Sequence, residues 1–336
     1  MIKTLELIGF KSFVADDIEF GGLTLLTGIN SSGKSSIVQA LLLLEKCAER
    51  APVSLKGHGS LDEMRNPFSK EGIRISANFE DEQQIGFSFD KGTLEYLAVV
   101  TVESLKSFPK IIYIGADRYG PETSMPIFHD SVTLGSRGEN LFKCIEHYEN
   151  EELNPILKHE NAQGDTFAFN LEAWLGVIAP NVKLKSVIQR QTDSSFALFN
   201  DYRAKNVGFG LSYTLPVITA LLLGTITPNS VVIIENPEAH LHPRGQTEMA
   251  RLICKCVEAG TQVIIETHSD HLLNGVRIYT KKSDTNFFKQ VQIHWFQLDE
   301  NKNTVVESTS IAPDGRLYNW PVGLADQFEI NASQLL

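Results

Sequence analysis

Three predominantly apolar runs, each followed by a helical pattern, dominate the arrangement of hydrophobic and polar residues in this chain. The first run covers 23–27 and leads into an almost entirely apolar helical stretch from Ser35 to about Glu49. The other two runs cover 231–234 and 262–266. Strands without polar alternation are typical of a parallel sheet covered on both faces, and a helix that is apolar all round is buried. The pattern therefore predicts an α/β fold.

Shorter runs indicate further strands and helices. Residues 2–8 alternate between apolar and polar side chains and predict a strand. Turns that are acidic or contain glycine separate four runs that predict a small antiparallel β subdomain, at 73–79, 85–89, 94–102 and 111–114. Later patterns predict helices over about 137–178, strands at 182–190 and 195–200, a helix through Leu223, a helix from about Pro243 to Glu258 and a strand at 291–298.

The composition fits a globular protein with one large domain or two closely joined ones. The chain has 336 residues, of which 42% are hydrophobic and 21% are charged. No segment is predicted to span a membrane and the first residues lack the layout of a signal peptide, so we expect a cytoplasmic protein. The net charge of −11 argues against a protein that coats nucleic acid nonspecifically. The four cysteines have neither zinc-ribbon nor redox-motif spacing, and we expect them to be reduced.

The stretch after the first apolar run, from Gly28 to Ser35, matches the phosphate-binding loop G-x-x-x-x-G-K-[ST]. A strand precedes the loop and a helix follows it, as this motif requires. Glycines let successive backbone N–H groups point at one anion, and the start of the helix adds its dipole. Lys34 is expected to reach the β- and γ-phosphates, and the Ser35 hydroxyl to hold Mg²⁺. The predicted nucleotide-binding residues of this loop are Asn30, Ser31, Ser32, Gly33, Lys34, Ser35 and Ser36.

Carboxylates follow the second apolar run, at the C-terminal end of its strand, where open α/β sheets place ligands. The sequence there reads Glu235-Asn236-Pro237-Glu238. Glu235 is predicted to hold Mg²⁺, directly or through water, and Glu238 to orient or deprotonate an attacking water. His268 follows the third apolar run and is predicted to hydrogen-bond a γ-phosphate or to polarise the attacking water.

Other residues near these motifs fit less specific roles. His240, His242 and His271 are of a residue type that binds metals, but the sequence has no matching Cys/His cluster, and we interpret all three as structural. The turn Gly208–Ser212 contains two glycines and no lysine. Because it begins an apolar helix, it is either an anion site or an ordinary helix cap.

Together these motifs resemble the ABC-type ATPases of the RecF/SMC/OLD-like group. Gly28–Ser36 is similar to their Walker A motif, residues 233–243 to the Walker B and D-loop region, and residues 266–269 to the switch-histidine loop. Gly208–Ser212 resembles a degenerate form of the ABC signature loop. The segment 314–321 resembles a short uncharacterised C-terminal domain found in one bacterial branch.

The resemblance implies the head fold of an ABC ATPase. This fold is a P-loop NTPase with a mixed or parallel core sheet and helices on both faces, to which an antiparallel β subdomain and a small helical subdomain are added. The implied domains are a discontinuous ATPase core at 1–50 plus 200–298, the β subdomain at 51–136, the helical subdomain with returning strands at 137–199, and a short C-terminal extension at 299–336.

The resemblance also implies that two copies bind head to head on two ATP molecules with Mg²⁺. In such a homodimer, Gly210 and Ser212 of one copy touch the γ-phosphate held by the other. Relatives usually carry Asp-Glu at the end of the Walker B strand, with the second residue as the catalytic base, whereas this chain has Glu235-Asn236. An amide does not take a proton from water as a carboxylate does. Hydrolysis therefore relies on Glu238 or Glu235, or it is slow.

Arg118 lies in a stretch, 114–121, that also resembles the family. An arginine there is either a finger that stabilises charge on the transferred phosphate or a buried ion-pair partner of Asp117. We favour the structural role, because structural ion pairs are more common than fingers.

The biological role is predicted by analogy with the family. The sequence has neither the Toprim nuclease of OLD-type proteins nor the long coiled coils of SMC proteins, so we expect a compact head without its own effector. Stand-alone heads of this kind often act with a separate nuclease or toxin in bacterial anti-phage modules, which predicts an ATP-driven switch or sensor subunit. Two alternatives remain open: a RecF-like DNA-repair ATPase that acts on the ends of double-stranded DNA, and a non-hydrolysing scaffold clamped by ATP.

Overall fold

The computed structural model describes residues 1–80, 83–99, 108–127 and 132–335. Two compact units make up this structure. The first unit contains Met1–Ile111 and Thr285–Leu336, and the second contains Ile112–Asp284. The division of the chain predicted from the sequence, into an ATPase core, a β subdomain, a helical subdomain and a C-terminal extension, stays a prediction.

Strands and helices alternate along much of the described chain. The strands are β1 (Ile2–Phe10), β2 (Phe13–Glu19), β3 (Leu23–Gly28), β4 (Ile73–Phe79), β5 (Gln84–Asp90), β6 (Thr93–Val99), β7 (Lys110–Ile114), β8 (Met125–Pro126), β9 (Leu184–Gln189), β10 (Ser194–Phe199), β11 (Tyr202–Arg203), β12 (Ser230–Glu235), β13 (Gln262–Glu266), β14 (Val291–Leu298) and β15 (Thr304–Thr309). The α-helices are α1 (Lys34–Ala48), α2 (Leu141–Tyr148), α3 (Phe167–Gly176), α4 (Phe209–Ile226), α5 (Pro243–Glu258), α6 (Asp270–Lys282) and α7 (Gln327–Leu335).

The first unit contains an antiparallel sheet with the strand order β2-β1-β4-β5-β6. This sheet includes three of the four runs from which the sequence predicted an antiparallel β subdomain, those at 73–79, 85–89 and 94–102. The placement of the fourth run, 111–114, in that subdomain was wrong, because it forms β7, which lies beside β12. The predicted strand at 94–102 corresponds to β6, and residues 100–102 lie outside the described residues.

Strand β3 of the first unit leads into the phosphate-loop motif and is buried along its whole length. It pairs in parallel with β14, from Leu23 opposite Val291 to Gly28 opposite Phe296, and β14 pairs antiparallel with β15. Helix α1 follows the loop and packs against β3, β4 and β5. The predicted helix from Ser35 to about Glu49 agrees with α1 within one residue at each end.

The second unit is built around the parallel pair β12 and β13, in which Glu235 lies opposite Glu266. Strand β7 lies beside β12. Helix α4 packs against α3, α5 and β12, and α5 packs against α6 and β13. The fold is therefore α/β with mixed sheets and helices, as the sequence predicted.

A smaller part of the second unit holds strands β8 to β11 and the helices α2 and α3. Strand β10 pairs antiparallel with β8, β9 and β11. The sequence predicted helices within 137–178 and strands at 182–190 and 195–200, and the structure confirms all of these elements.

Helix α4 is the one helix of the described residues that is long and apolar enough to cross a membrane by length and composition alone. In this structure, 72% of that segment is buried inside the protein. A buried core helix passes the same composition test, so the apolar character of α4 is accounted for by its packing.

Candidate functional site

The phosphate-loop motif forms a tight connection between β3 and α1. Gly28 and Gly33 have φ values of 139° and 109°, and Ser31 has a φ of 61°. A Cβ atom at Gly28 would lie 2.2 Å from the carbonyl oxygen of Phe296, and one at Gly33 would lie 2.5 Å from Thr304 Oγ1. Because both positions combine a backbone conformation unfavourable for side chains with no room for a Cβ, only glycine fits them.

Strand β15 supports the loop through one buried hydroxyl. Thr304 Oγ1 lies 2.8 Å from the carbonyl oxygen of Ser32 and 2.7 Å from Ser12 Oγ. The ring of Phe13 lies 3.0 Å from the position of a Cβ at Gly33. Thr304 could not be predicted from the motif, because it lies 272 residues from Ser32 in the sequence and shows no local signal.

Lys34 and Ser32 satisfy carbonyl groups of the loop. The Lys34 side chain is 3% exposed, and its Nζ donates to the carbonyl oxygens of Ile29 at 2.6 Å and Gly28 at 3.2 Å. Ser32 Oγ donates to Ile29 O at 2.8 Å. Helix α1 begins after Gly33, a residue that provides no side-chain cap to its first N–H groups. A helix start of this kind favours an anion.

In the second unit, the carboxylate of Glu235 is held at the end of β12 by two donors. The Tyr113 hydroxyl donates to Oε1 at 3.1 Å, and the backbone N–H of Ala116 donates to Oε2 at 3.1 Å. Burial, together with the nearby charge of Glu235, raises the pKa of Tyr113 well above its usual value. Tyr113 therefore stays a hydrogen-bond donor at neutral pH.

Arg118 holds the backbone of the same turn. Its guanidinium is buried and donates to the carbonyl oxygens of Glu235 at 2.9 Å and Asn236 at 2.7 Å. It also donates to the carbonyl oxygens of Gly115 and Tyr213. Burial lowers the pKa of Arg118.

Asp117 pairs with Arg137 at 3.1 Å. The ion pair between Arg118 and Asp117 that the sequence suggested was wrong, because Asp117 pairs with Arg137 and Arg118 donates to backbone carbonyl oxygens. The structural role that the sequence favoured for Arg118 agrees with these contacts.

The turn after β12 leaves two buried side-chain oxygens without a hydrogen-bond partner among the described residues, Asn236 Oδ1 and Glu238 Oε2. Asn236 has a φ of 46°, and its N–H donates to Glu266 O at 2.8 Å. The other oxygen of Glu238, Oε1, accepts from the backbone N–H of His268 at 2.9 Å. Buried acceptors in native proteins normally bind a donor, so these two oxygens are an exception that a donor brought in by a water or a ligand would remove.

The structure thus brings Glu235, Glu238 and His268 together at the C-terminal ends of the neighbouring strands β12 and β13. The His268 side chain is exposed. The residue after it, Ser269, caps α6 by accepting from Leu272 N at 2.9 Å. The catalytic roles assigned to these residues from the sequence stay predictions.

The glycine turn before α4 has an exposed and a buried part. Gly208 is the exposed residue before the helix, and Phe209 is 57% exposed. Gly210 is half-buried, and a Cβ there would lie 3.0 Å from the carbonyl oxygen of His240. Ser212 is 8% exposed, and its hydroxyl has no hydrogen-bond partner within the described residues. The contact predicted for Gly210 and Ser212 with a second copy stays a prediction.

The histidines of the same region make packing and capping contacts. The His240 ring lies 4.4 Å from the Tyr213 ring and 5.8 Å from the Phe209 ring. His242 Nδ1 accepts from Arg244 N at 3.3 Å at the start of α5. In the part of the chain that the structure describes, no group of three or more His, Cys, Asp or Glu side chains is arranged to hold a metal ion.

Domain comparisons match most of the chain in separate segments. A model described as "AAA ATPase domain" matches residues 138–273, and one described as "AAA domain" matches residues 4–113. A third, described as "Protein of unknown function (DUF3696)", matches residues 288–335, which include the C-terminal segment that resembled an uncharacterised domain. A comparison with curated proteins finds no match to this sequence.

Solved SMC heads have the same fold. An SMC head bound to the C-winged helix domain of ScpA aligns with a TM-score of 0.58 at 17% identity, over 92% of this chain and 97% of that chain. An SMC head with an extended coiled coil, bound to the C-terminal domain of ScpA derived from Pyrococcus furiosus, aligns at 0.56 and 14% identity, over 100% of each chain. A structure of the recombination mediator protein RecF aligns at 0.48 and 13% identity over 92% of this chain and 98% of that chain, a score too low to establish a shared fold.

Two segments of the chain thus match ATPase domains, and the chain has the fold of SMC heads. At the level of the fold, these matches confirm the prediction of an ABC-type ATPase head. The likeness to RecF stays a prediction, and so does the likeness to OLD proteins.

The residues of this chain fit a nucleotide with Mg²⁺. The phosphate loop has a glycine cradle with no room for side chains and a lysine among its backbone carbonyls. The turn after β12 supplies carboxylate and amide oxygens, and hard cations such as Mg²⁺ prefer oxygen ligands.

Proposed function

We propose that this chain binds ATP with Mg²⁺ and hydrolyses it to ADP and phosphate at composite sites of a head-to-head homodimer. In this proposal it is the switch or sensor subunit that controls a separate effector protein. The main support for hydrolysis is the way in which the carboxylate of Glu238 is held. One oxygen is fixed by the His268 N–H at 2.9 Å, and the other is buried with no hydrogen-bond partner among the described residues.

Phosphate binding is assigned to the loop before α1. The residues proposed to bind it are Asn30, Ser31, Ser32, Gly33, Lys34, Ser35 and Ser36. Lys34 now donates to two neutral carbonyl oxygens, and exchanging them for phosphate oxygens gives charge-assisted hydrogen bonds, which are stronger. Ser35 and Glu235 are proposed to hold Mg²⁺, which when bound neutralises charge on the phosphates.

Glu238 is the proposed general base, and because its Oε2 is buried in the single chain, contact with a water requires a rotation of the carboxylate or a shift of the turn. Glu238 takes a proton from a water whose oxygen forms a bond to the γ-phosphorus, while the bond from that phosphorus to the β–γ bridging oxygen breaks and ADP leaves. The proton then passes from Glu238 to the released phosphate. The His268 backbone orients Glu238, and the exposed His268 side chain is proposed to hydrogen-bond the γ-phosphate.

The homodimer is proposed from the glycine turn before α4. Gly208 and Phe209 present an exposed helix start, which is a suitable surface for the phosphate held by a second copy. Gly210 and Ser212 are the residues proposed to contact the γ-phosphate. Because Ser212 Oγ is buried in the single chain, its contact requires a rotation of the side chain or a shift of the first helical turn.

Control of a separate effector is proposed by analogy. The SMC heads with the same fold were solved with a bound ScpA domain, so protein partners are compatible with this fold. A nuclease or toxin in a bacterial anti-phage module is the proposed effector class. The net charge of −11 favours a protein partner over nonspecific binding to DNA.

Steady-state ATP hydrolysis by the purified chain tests the proposal. We expect a Mg²⁺-dependent rate that is lost in Lys34→Ala. A rate unchanged by this substitution would indicate a contaminating enzyme. ATP-loaded Glu238→Gln should form a dimer in light scattering, and a variant that binds ATP but stays monomeric would contradict the homodimer.

Asn236 supports a second candidate function, an ATP-clamped scaffold that does not hydrolyse. In this case, the missing carboxylate at Asn236 leaves no effective base. ATP would still bind and drive dimer formation, but the wild-type chain would show no turnover above the Lys34→Ala background. The two functions are therefore separated by turnover and not by nucleotide binding.

A further inference from the structure

The segment from Tyr113 to Arg118, at the end of β7, contacts both the side chain and the backbone of the turn after β12. It lies more than a hundred residues before that turn in the sequence, and the roles in ATP binding and hydrolysis proposed above do not include it. The contacts divide into two sets, one at the Glu235 carboxylate and one at the backbone carbonyls.

The first set fixes the Glu235 carboxylate. Tyr113 and the N–H of Ala116 each hydrogen-bond a different carboxylate oxygen at 3.1 Å. Two donors on two oxygens determine both the direction and the rotation of the carboxylate plane. Each oxygen keeps a further lone pair for a metal ion or a water.

The second set fixes the turn itself. Arg118 donates to the consecutive carbonyl oxygens of Glu235 and Asn236, while Asn236 has a φ of 46°. This conformation is uncommon for residues other than glycine, and asparagine tolerates it better than most. The flat guanidinium fork of arginine satisfies several carbonyls at once, which a lysine ammonium cannot reproduce in the same geometry.

We propose that Tyr113 and Arg118 are positioning residues for ATP hydrolysis: Tyr113 orients Glu235 for Mg²⁺, and Arg118 sets the turn that carries Glu238. The inference rests on the proposed function. In this role both residues contact only protein atoms, those of Glu235 and of the backbone. Arg118 therefore fixes the backbone of the turn after β12 (Glu235–Glu238, the acidic turn) and is not a finger on the transferred phosphate.

Tyr113→Phe tests the first half, with nucleotide binding as the readout. Mg²⁺ is expected to strengthen the binding of a fluorescent ATP analogue, and the Mg²⁺ concentration that gives half of this effect should rise about tenfold in the variant. Loss of a residue that hydrogen-bonds a metal ligand typically weakens metal binding by at least this factor. Binding of the analogue without Mg²⁺ should stay unchanged. Tyr279→Phe is the matched control, since the Tyr279 hydroxyl donates to Glu258 Oε2 at 2.7 Å within the same unit.

The outcomes separate positioning from general stabilisation. The proposal is wrong if Tyr113→Phe and Tyr279→Phe lower the melting temperature alike and neither changes the Mg²⁺ concentration needed for half of the effect on nucleotide binding. Tyr113 then has only a structural role. In a Glu235→Gln background, Tyr113→Phe should have no further effect on that concentration. A full additional effect would contradict an action through Glu235.

Arg118→Lys tests the second half and keeps the positive charge. We expect kcat to fall about tenfold or more and KM for ATP to stay nearly unchanged. The reason is that the turn that carries Glu238 loses the hydrogen bonds from the guanidinium to its consecutive carbonyl oxygens. If Arg118→Ala folds, millimolar guanidinium should partly restore its rate. A wild-type kcat in a folded Arg118→Lys protein would overturn this half.

Failure of the inference is distinguishable from failure of the proposed function. A wild-type chain that neither binds nor hydrolyses ATP would refute the function before any variant is compared. A wild-type chain with normal Mg²⁺-dependent hydrolysis, combined with variants that match it, would refute the inference alone.

Discussion

The phosphate loop and the acidic turn differ in how their polar groups are satisfied. In the loop, the Lys34 ammonium and the Ser32 hydroxyl donate to carbonyls of the same loop, and Thr304 contacts it from β15. In the acidic turn, Asn236 Oδ1 and Glu238 Oε2 are buried without a hydrogen-bond partner among the described residues. The polar groups of the loop are therefore satisfied within the protein, whereas two acceptors of the turn still lack a donor.

Of the two glycines at the ends of the phosphate loop, Gly28 has the closer contact. Gly28→Ala places a Cβ 2.2 Å from the carbonyl oxygen of Phe296 at a φ of 139°. We expect the free energy of unfolding to fall by about 3 kcal/mol, from backbone strain and overpacking together. Urea unfolding followed by circular dichroism measures the change.

Gly92→Ala is the control for this change. Gly92 has a φ of 80°, but a Cβ there meets no atom within 4 Å among the described residues. The control should cost about 1 kcal/mol, the strain of the left-handed backbone alone. Equal losses in the two variants would show that the contact with Phe296 is unimportant.

The sequence predicted the phosphate loop itself but not the contacts that β14 and β15 make with it, for a physical reason. Gly28, Gly33 and Lys34 form a short motif whose conformation is encoded locally by glycine and by the strand and helix around it. Phe296 and Thr304, by contrast, reach the loop only because β14 pairs in parallel with β3, and a pairing between distant segments leaves no mark in the local pattern.

The acidic turn shows the same division. Its carboxylates and its place after a buried strand could be predicted from the sequence. The hydrogen bond from the His268 N–H to Glu238 could not, because it depends on the register that places Glu235 opposite Glu266. Arg118 was recognised as a candidate, but its acceptors proved to be backbone carbonyls, which carry no residue signature.

The second prediction concerns the hydroxyl that supports the loop. Thr304→Val removes a buried hydroxyl that contacts Ser32 O and Ser12 Oγ, at nearly constant shape. We expect the free energy of unfolding to fall by about 1–2 kcal/mol and nucleotide binding to weaken. Thr309→Val, on the same strand, removes only a 3.4 Å contact with Asn319 N and should have a smaller effect. If the two variants are alike, the proposed support of the loop by Thr304 is incorrect.

The third and smallest effect is a dependence on pH within the unit that holds the phosphate loop. His294 on β14 is buried, with one ring nitrogen 2.8 Å from Ser308 Oγ and the other 2.7 Å from Glu19 O. Burial lowers its pKa below that of the unfolded chain. The unfolded state therefore binds the proton more tightly, so stability is complete above about pH 6.5 and declines as the pH falls below it.

Unfolding in urea at pH 7.5 and at pH 5.5 tests this dependence. On going from pH 7.5 to pH 5.5, the free energy of unfolding should fall less in His294→Gln than in the wild type. Two other groups contribute in both proteins: burial lowers the pKa of His159, which adds to the decrease, and burial raises the pKa of Asp16 to about 6, which opposes it. A decrease of equal size in both proteins would show that His294 does not contribute.

The central claim, that Glu238 is the base for ATP hydrolysis, is tested most directly by single-turnover hydrolysis in Glu238→Gln. Glu248→Gln is the matched control, since Glu248 lies on α5 and pairs with Arg251. We predict that Glu238→Gln binds ATP like the wild type but hydrolyses it about 10²- to 10⁴-fold more slowly, while Glu248→Gln retains the wild-type rate. Hydrolysis by Glu238→Gln at the wild-type rate would contradict the claim.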